Sequence, residues 1–397
     1  MEQRTRVIHV VGARPNYMKV APLMRVMSRH PEKWDQILVH TGQHYDYRMS
    51  QVFFEDLGLP QPDVYLGVGS GSHAEQYARV LQSFENVLDE LRPNWVIVVG
   101  DVNSTLACAL AAAQKHIKVA HVEAGLRSFD RTMPEEINRV LTDHVSDLLF
   151  TTERSGNENL AKEGIPSEKV RFVGNTMIDT LAALLPKSEN RQILKELSLH
   201  LENGNGRGQA AQHRAYTLVT LHRPQNVDES YALSEILEAL ERIAEDVPVL
   251  FPVHPRTRKR IKENHLSVHP DRVRLLEPLG YMDFLALMRQ ASLVITDSGG
   301  IQEETTYLGV PCLTVRPNTE RPVTIELGTN RLVPRESSAI VREALHALSN
   351  GGVKERTLPP LWDGKAAERI VAHLGHTFSE RPRGRFFLNA DSHVAER

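Results

Sequence analysis

Hydrophobic positions along this chain come in short unbroken blocks, not in strict alternation. The first half carries them at Arg6 to Val11, Gln36 to His40, Trp95 to Gly100, Val119 to Val122, Leu148 to Thr151 and Val170 to Val173. Strands that are apolar on both sides are buried on both faces, as in a parallel sheet covered by helices. The segments between them supply such helices: Met18 to Met27 repeats apolar residues at three and four, and Ser104 to Gln114 is rich in Ala. The second half restarts the alternation at Tyr216 to Leu221, Val249 to Val253, Val273 to Leu276, Leu293 to Thr296 and Cys312 to Val315, with a helix over Tyr231 to Glu245. The pattern predicts an α/β protein with two Rossmann-like, doubly wound domains.

The expected boundaries are 1–185 for the first domain, 186–215 for a linker and 216–363 for the second domain. An amphipathic helix over 364–376 and a polar tail over 377–397 follow. The stretch ENGNGRGQAAQH lacks apolar periodicity and reads as loop. A chain of 397 residues exceeds the size of one ordinary core. Its 41% hydrophobic and 24% charged residues are those of a soluble globular protein, and a net charge of -3 gives no case for a nucleic-acid partner. No apolar run reaches membrane-spanning length, and the N-terminus lacks the pattern of a secretory signal. The only two cysteines, Cys108 and Cys312, sit in apolar settings and exclude a disulfide scaffold or a cysteine zinc site. A cytoplasmic location fits.

Ligands of doubly wound sheets bind beyond the carboxyl ends of the strands, so the strand-to-helix turns carry the candidate chemistry. The first turn, Gly12-Ala13-Arg14-Pro15-Asn16-Tyr17-Met18-Lys19, places two cations at a helix start and reads as a phosphate site. It is neither the dinucleotide fingerprint nor the phosphate-binding loop of nucleotide triphosphatases. Asp101 and Glu123 follow two buried strands, and Glu135 and Glu136 open a helix behind Pro134. Capping would explain Asp101, and dipole complementarity would explain the glutamates. Their convergence on one cleft would instead provide an acid and a base at neutral pH. In the second half His222 and Arg223 end one strand, and His254 lies between two prolines. Thr296-Asp297-Ser298-Gly299-Gly300-Ile301-Gln302-Glu303-Glu304 offers helix amides for phosphate and a Glu for ribose hydroxyls. Arg316, Glu320 and Arg321 could close on the same phosphates. The Gly-x-Ser-x-Gly elbow of a hydrolase and metal-ligand spacings are both absent.

The turns GARPNYMK, VVGD, HVEAGLRS, MPEEINR, VGNTMID, LHRP, PVHP, TDSGGIQEE and TERP, followed by DGKAAERI, stand in the order seen in the non-hydrolysing UDP-N-acetylglucosamine 2-epimerases, which the chain resembles from about Arg6 to Leu374. The resemblance implies two domains facing across a cleft in a glycosyltransferase-B-like arrangement, with the last helix crossing back to the first domain, and a homodimer. It implies conversion of UDP-GlcNAc to UDP-ManNAc by anti elimination of UDP to 2-acetamidoglucal and re-addition, without metal or nicotinamide. Asp101, Glu123, Glu135 and His222 match the family's catalytic group. Arg14, Lys19, Phe284, Ser298, Gly299, Glu304 and Arg321 match its substrate contacts.

The sequence departs from the commonest bacterial pattern at Asn16, Leu221, Pro224-Gln225 and Leu279. HTGQHYDYRMSQVFF and MPEEINR are shared with relatives acting on UDP-2,3-diacetamido-2,3-dideoxyglucuronate, whose extra carboxylate would take a cation such as Arg79, Arg131 or Arg223. A hydrolysing epimerase or a UDP-sugar glycosyltransferase would use a similar two-domain plan. Gln43 and His44 occupy the place of an activator site, but the following Tyr-Asp-Tyr differs, so weak or absent substrate activation is expected.

Overall fold

The computed structural model describes residues 4–42, 54, 56–199, 215–349 and 357–379. They form two parallel sheets with helices on both faces. The first contains β1 (Thr5–Val11), β2 (Trp34–His40), β3 (Val64–Tyr65), β4 (Trp95–Val99), β5 (Lys118–Ala124), β6 (Leu148–Thr151) and β7 (Val170–Phe172), in the order β3-β2-β1-β4-β5-β6-β7. The second contains β8 (Thr217–Thr220), β9 (Val249–Pro252), β10 (Val273–Leu276), β11 (Leu293–Thr296), β12 (Cys312–Val315) and β13 (Asn330–Val333), in the order β10-β9-β8-β11-β12-β13. Each order reverses once, between β1 and β4 and between β8 and β11. Those two switch points are where doubly wound sheets bind ligands.

The apolar blocks become central strands because both faces are covered. Trp95 to Val99 is buried throughout, and the helix Asn103–Gln114 is buried along most of its length against the helices His73–Leu91 and Pro134–Val145. One core cluster runs through both halves. Met177, Ile178, Leu181 and Leu184 of the helix Thr176–Ser188 share it with Leu218 and Val294 of the second sheet. This helix packs on Arg14–Met27 of the first half and on Tyr281–Met288 and Gly299–Leu308 of the second.

The span expected to be linker is partly helical. The helix Thr176–Ser188 extends into it, and Ile193–Glu196 forms a turn that packs on Tyr281–Met288. Burial of Ile193, Leu194 and Leu199 drives that packing, which the polar composition around them concealed. Residues 200–214, including ENGNGRGQAAQH, lie outside the described residues, as does the tail from residue 380 onward.

The last helix, Ala366–Ser379, lies against Arg14–Met27 and Thr176–Ser188. Its first amides are satisfied from a distance: Ala366 N and Ala367 N donate to the Asp179 carboxylate at 3.1 and 2.7 Å. Just before it, Trp362 is buried and donates to the Thr152 carbonyl at 3.0 Å. Gly174, at φ +90°, passes so close to Leu361 that a Cβ would sit 2.1 Å from its carbonyl oxygen. Among the described residues no helix is long and apolar enough to cross a membrane.

Asp179→Ala strands two buried amide groups and should lower unfolding stability by about 1–3 kcal/mol, measured by urea melts. An unchanged midpoint and slope would mean that apolar contacts alone hold the last helix in place.

Candidate active site

A cavity of about 530 Å³ opens between the two sheets. Lys19, Asp101, Glu123, Glu135 and Arg139 line it from the first half. His222, Arg223, Phe284, Ser298, Gly299, Glu303, Glu304 and Arg321 line it from the second. Ten of the eleven candidate residues from the sequence are thus gathered at one place. The eleventh, Arg14, begins the helix Arg14–Met27, and its side chain lies outside the described parts of the chain. Gln43 and His44 also lie outside the described residues.

Glu123 is the most constrained of the acids. It interrupts the β5–β6 register, which shifts between Val122 and Ala124, and its φ of 72° lies in the left-handed region. Such a conformation costs a non-glycine residue about 1–3 kcal/mol and persists only where surrounding contacts impose it. Lys19 Nζ supplies one contact at 2.7 Å, and Arg321 Nη2 approaches the same carboxylate oxygen at 3.3 Å. The other oxygen, Oε2, is buried without a hydrogen-bond partner.

Asp101 is gripped by Arg139, with Nη2 and Nε at 2.6 and 3.1 Å from Oδ2. Burial pushes its carboxyl upward, but the cations Arg139, Lys19 and Arg321 outweigh it and hold the group below the usual range. Glu135 projects from the first turn of Pro134–Val145 with an exposed side chain at the cavity wall. Its neighbour Glu136 turns inward, accepting from Ser128 N, Phe129 N and Arg139 Nη1. Helix-start complementarity therefore accounts for Glu136 only in part, since its main task is to tie down the preceding loop.

In the second half Asp297 is the organiser. Its carboxylate is fully buried and accepts from the backbone N–H of His222 and Arg223, from Asn226 Nδ2, and from His222 Nδ1 at 3.0 Å. Burial raises the Asp297 carboxyl, but these donors bring it below the usual range. They also fix the exposed His222 ring over the cavity. Ser298 precedes the helix Gly299–Leu308, and its side chain makes no capping bond, so the first amides are free of that competitor. Glu304, one turn on, is buried, accepts from the Tyr281 hydroxyl at 2.7 Å, and is pushed up to about 7 by burial. Arg321 is held by Glu303 at 2.7 Å and reaches Glu123 across the cleft. Glu320, between Arg316, Arg139 and Arg321, is driven well below the usual carboxylate range despite its burial.

Sequence reasoning passed over Arg139, Asp297 and Glu303 as site residues. For Arg139 the signal was present, since Glu136 and Arg139 stand three apart on one helix face. For Asp297 there was none, because its amide partners lie about 75 positions away. Of the three cations considered for an extra substrate carboxylate, Arg223 lines the cavity. Arg79 bonds the Val68 and Ser70 carbonyls instead, and neither it nor Arg131 lines the cavity. Among the described residues no cluster of His, Cys, Asp and Glu could hold a metal ion.

The buried carboxyls set a pH dependence of stability. Glu153 and Glu304 are pushed up to about 7, and Asp179 to about 6, all mainly by burial. The folded state therefore keeps protons that the unfolded chain has released, and stability falls as pH rises through that window. His9, buried and lowered to about 4, acts in the opposite sense but only below its unfolded value near 6.5. The melting temperature of the unliganded protein should accordingly decline between about pH 6.5 and 8, and E153Q together with E304Q should flatten the decline. A rise over that interval would contradict these protonation states.

The model of the UDP-N-acetylglucosamine 2-epimerase family matches residues 27–375. A UDP-N-acetylglucosamine 2-epimerase of Methanocaldococcus jannaschii is 42% identical over 372 residues, covering 92% of this chain and 97% of that one. The crystal structure of the M. jannaschii UDP-GlcNAc 2-epimerase in complex with UDP-GlcNAc and UDP superposes with a TM-score of 0.83 at 41% identity, covering 94% of this chain and 100% of that chain. A UDP-2,3-diacetamido-2,3-dideoxy-D-glucuronate 2-epimerase of Pseudomonas aeruginosa is 38% identical over 372 residues, covering 93% and 99% of the two chains. With a site built at both switch points of two facing Rossmann-like domains, and with these similarities along nearly its whole length, the chain belongs to the UDP-N-acetylglucosamine 2-epimerase family.

Proposed function

We propose that the protein interconverts UDP-N-acetylglucosamine and UDP-N-acetylmannosamine by anti elimination of UDP and its re-addition to 2-acetamidoglucal. One observation carries this reading. A single cavity joins the carboxylates Asp101, Glu123 and Glu135 to a glycine-lined helix start and Arg321. The hydrogen at C2 is not beside a carbonyl, so simple deprotonation would leave an unstabilised carbanion. Expelling UDP as the proton leaves avoids it. The carboxylates then move the proton, with His222 beside them, while Arg14, Lys19, Arg321 and the amides near Ser298 and Gly299 receive charge on the leaving diphosphate. Glu304 takes the ribose hydroxyls and Phe284 packs on uracil. Both elimination products stay in the closed cleft, where exclusion of water prevents hydrolysis. The route requires neither metal nor nicotinamide.

The reading extends to a nucleotide-binding unit over 216–363, a first unit over 1–185, and a cytoplasmic homodimer. Exposed Ile137 and Leu141, one helical turn apart on Pro134–Val145, support the dimer, and the two buried free cysteines support a reducing compartment.

A second reading has an observation in its favour. Arg223 lines the cavity and is only partly buried, and it could take the C6 carboxylate of UDP-2,3-diacetamido-2,3-dideoxyglucuronate.

The test follows product formation from both UDP-sugars with wild type, D101N and E123Q, and UDP affinity by calorimetry. UDP-ManNAc should form from UDP-GlcNAc at the higher kcat/KM, and each variant should lose about 10²–10⁴-fold in turnover. Their UDP affinities should stay within about tenfold of wild type. Preference for the uronate would transfer the assignment to the second reading. Loss of turnover and UDP binding together would reduce the acids to ligand-holding or structural parts.

A further inference from the structure

We propose that Glu303 is a positioning residue for the leaving diphosphate, gripping Arg321 by Nε so that its two terminal nitrogens face the space above Gly299. The inference rests on the reading of the cleft as a UDP-sugar site and goes beyond it, because Glu303, though part of the TDSGGIQEE motif, is given no role by the family resemblance.

Glu303 is fully buried, and its Oε1 accepts from Arg321 Nε at 2.7 Å. A guanidinium is a rigid planar fork, so a hold on Nε fixes the directions of both terminal nitrogens. Those nitrogens lead forward. Nη2 lies 3.3 Å from Glu123 on the opposite sheet, and Nη1 lies 3.5 Å from Glu320. Nη1 is also pressed against Gly299, where a Cβ would come within 2.5 Å of it. Gly299 opens a ten-residue helix whose first amides are not capped by the Ser298 side chain. The fixed guanidinium and the helix start therefore present positive charge to the same small space, the arrangement that a diphosphate needs as it departs.

A second observation shows that Glu303 belongs to the cavity and is more than a core ion pair. Its other oxygen, Oε2, is buried with no hydrogen-bond partner, and the residue lines the cavity wall. Buried polar atoms are seldom left unpaired unless a ligand or a functional demand accounts for them. Glu123 shows the same feature from the facing sheet. The charges that face Glu303 are Arg321 from the segment after β12, Glu123 from β5, Lys19 from Arg14–Met27, Glu153 after β6, and Glu304 on its own helix. Only Arg321 among them bonds it directly.

The test measures UDP and uridine binding to wild type, E303A and E303Q by calorimetry. E303A should weaken UDP by about tenfold or more and leave uridine within about threefold, because only the diphosphate depends on the aim of Arg321. E303Q keeps an oxygen that accepts from Nε and should hold UDP within about threefold of wild type. Unchanged UDP binding by E303A would overturn the inference. So would equal losses for UDP and uridine, which would mark a general structural role, or an E303Q that falls as far as E303A. Wild type that fails to bind UDP would remove the UDP-sugar reading itself, and the inference with it.

Discussion

The site depends on one guanidinium placed among carboxylates from two sheets. Arg321 is held by Glu303 of its own domain and reaches Glu123 of the other, while Lys19 also pairs with Glu123 and Arg139 balances Asp101 and Glu136. Buried carboxylates this close would repel one another, and taking any of them out of water unpaired is costly. The cations make the cluster possible. The left-handed backbone at Glu123 belongs to the same arrangement, since strain there is tolerated only because Lys19 and Arg321 hold the side chain.

The distances divide the array in a way that suits its task. The shortest contact of each of these cations lies within its own half: 2.7 Å for Lys19–Glu123, 2.6 Å for Arg139–Asp101 and 2.7 Å for Arg321–Glu303. Across the cleft they lengthen to 3.3 Å for Arg321–Glu123 and 3.6 Å for Arg139–Glu320. Each domain thus preorganises its own charges and leaves a looser seam between them. The seam lies at the two switch points, and the helix Thr176–Ser188 packs on both halves.

Much of this plan was legible in the residues. Continuous apolar blocks identified eleven of the strands to within one or two residues, because burial on both faces leaves no room for alternation. The missed strands β3 and β13 are a two-residue pair and a segment with Asn330 and Arg331 in it, neither of which makes an apolar block. The turns that carry the site were also readable, since topology sends ligands to the carboxyl ends of strands. What escaped was the second layer. Asp297 and Glu303 act on groups that only folding brings near, and the φ of Glu123 follows from a bulge in register that no local pattern announces. The short helix Ile193–Glu196 escaped for a related reason, because its few apolar residues find their partners in the second half of the chain.

The central claim is that this charge array moves the C2 proton while UDP departs and returns. Proton NMR of the purified protein with UDP-GlcNAc in deuterated water, following the anomeric and H2 signals, tests it directly. The account predicts UDP-ManNAc carrying deuterium at C2. Product that retains its original C2 hydrogen in full, or free N-acetylmannosamine accumulating in its place, would contradict it.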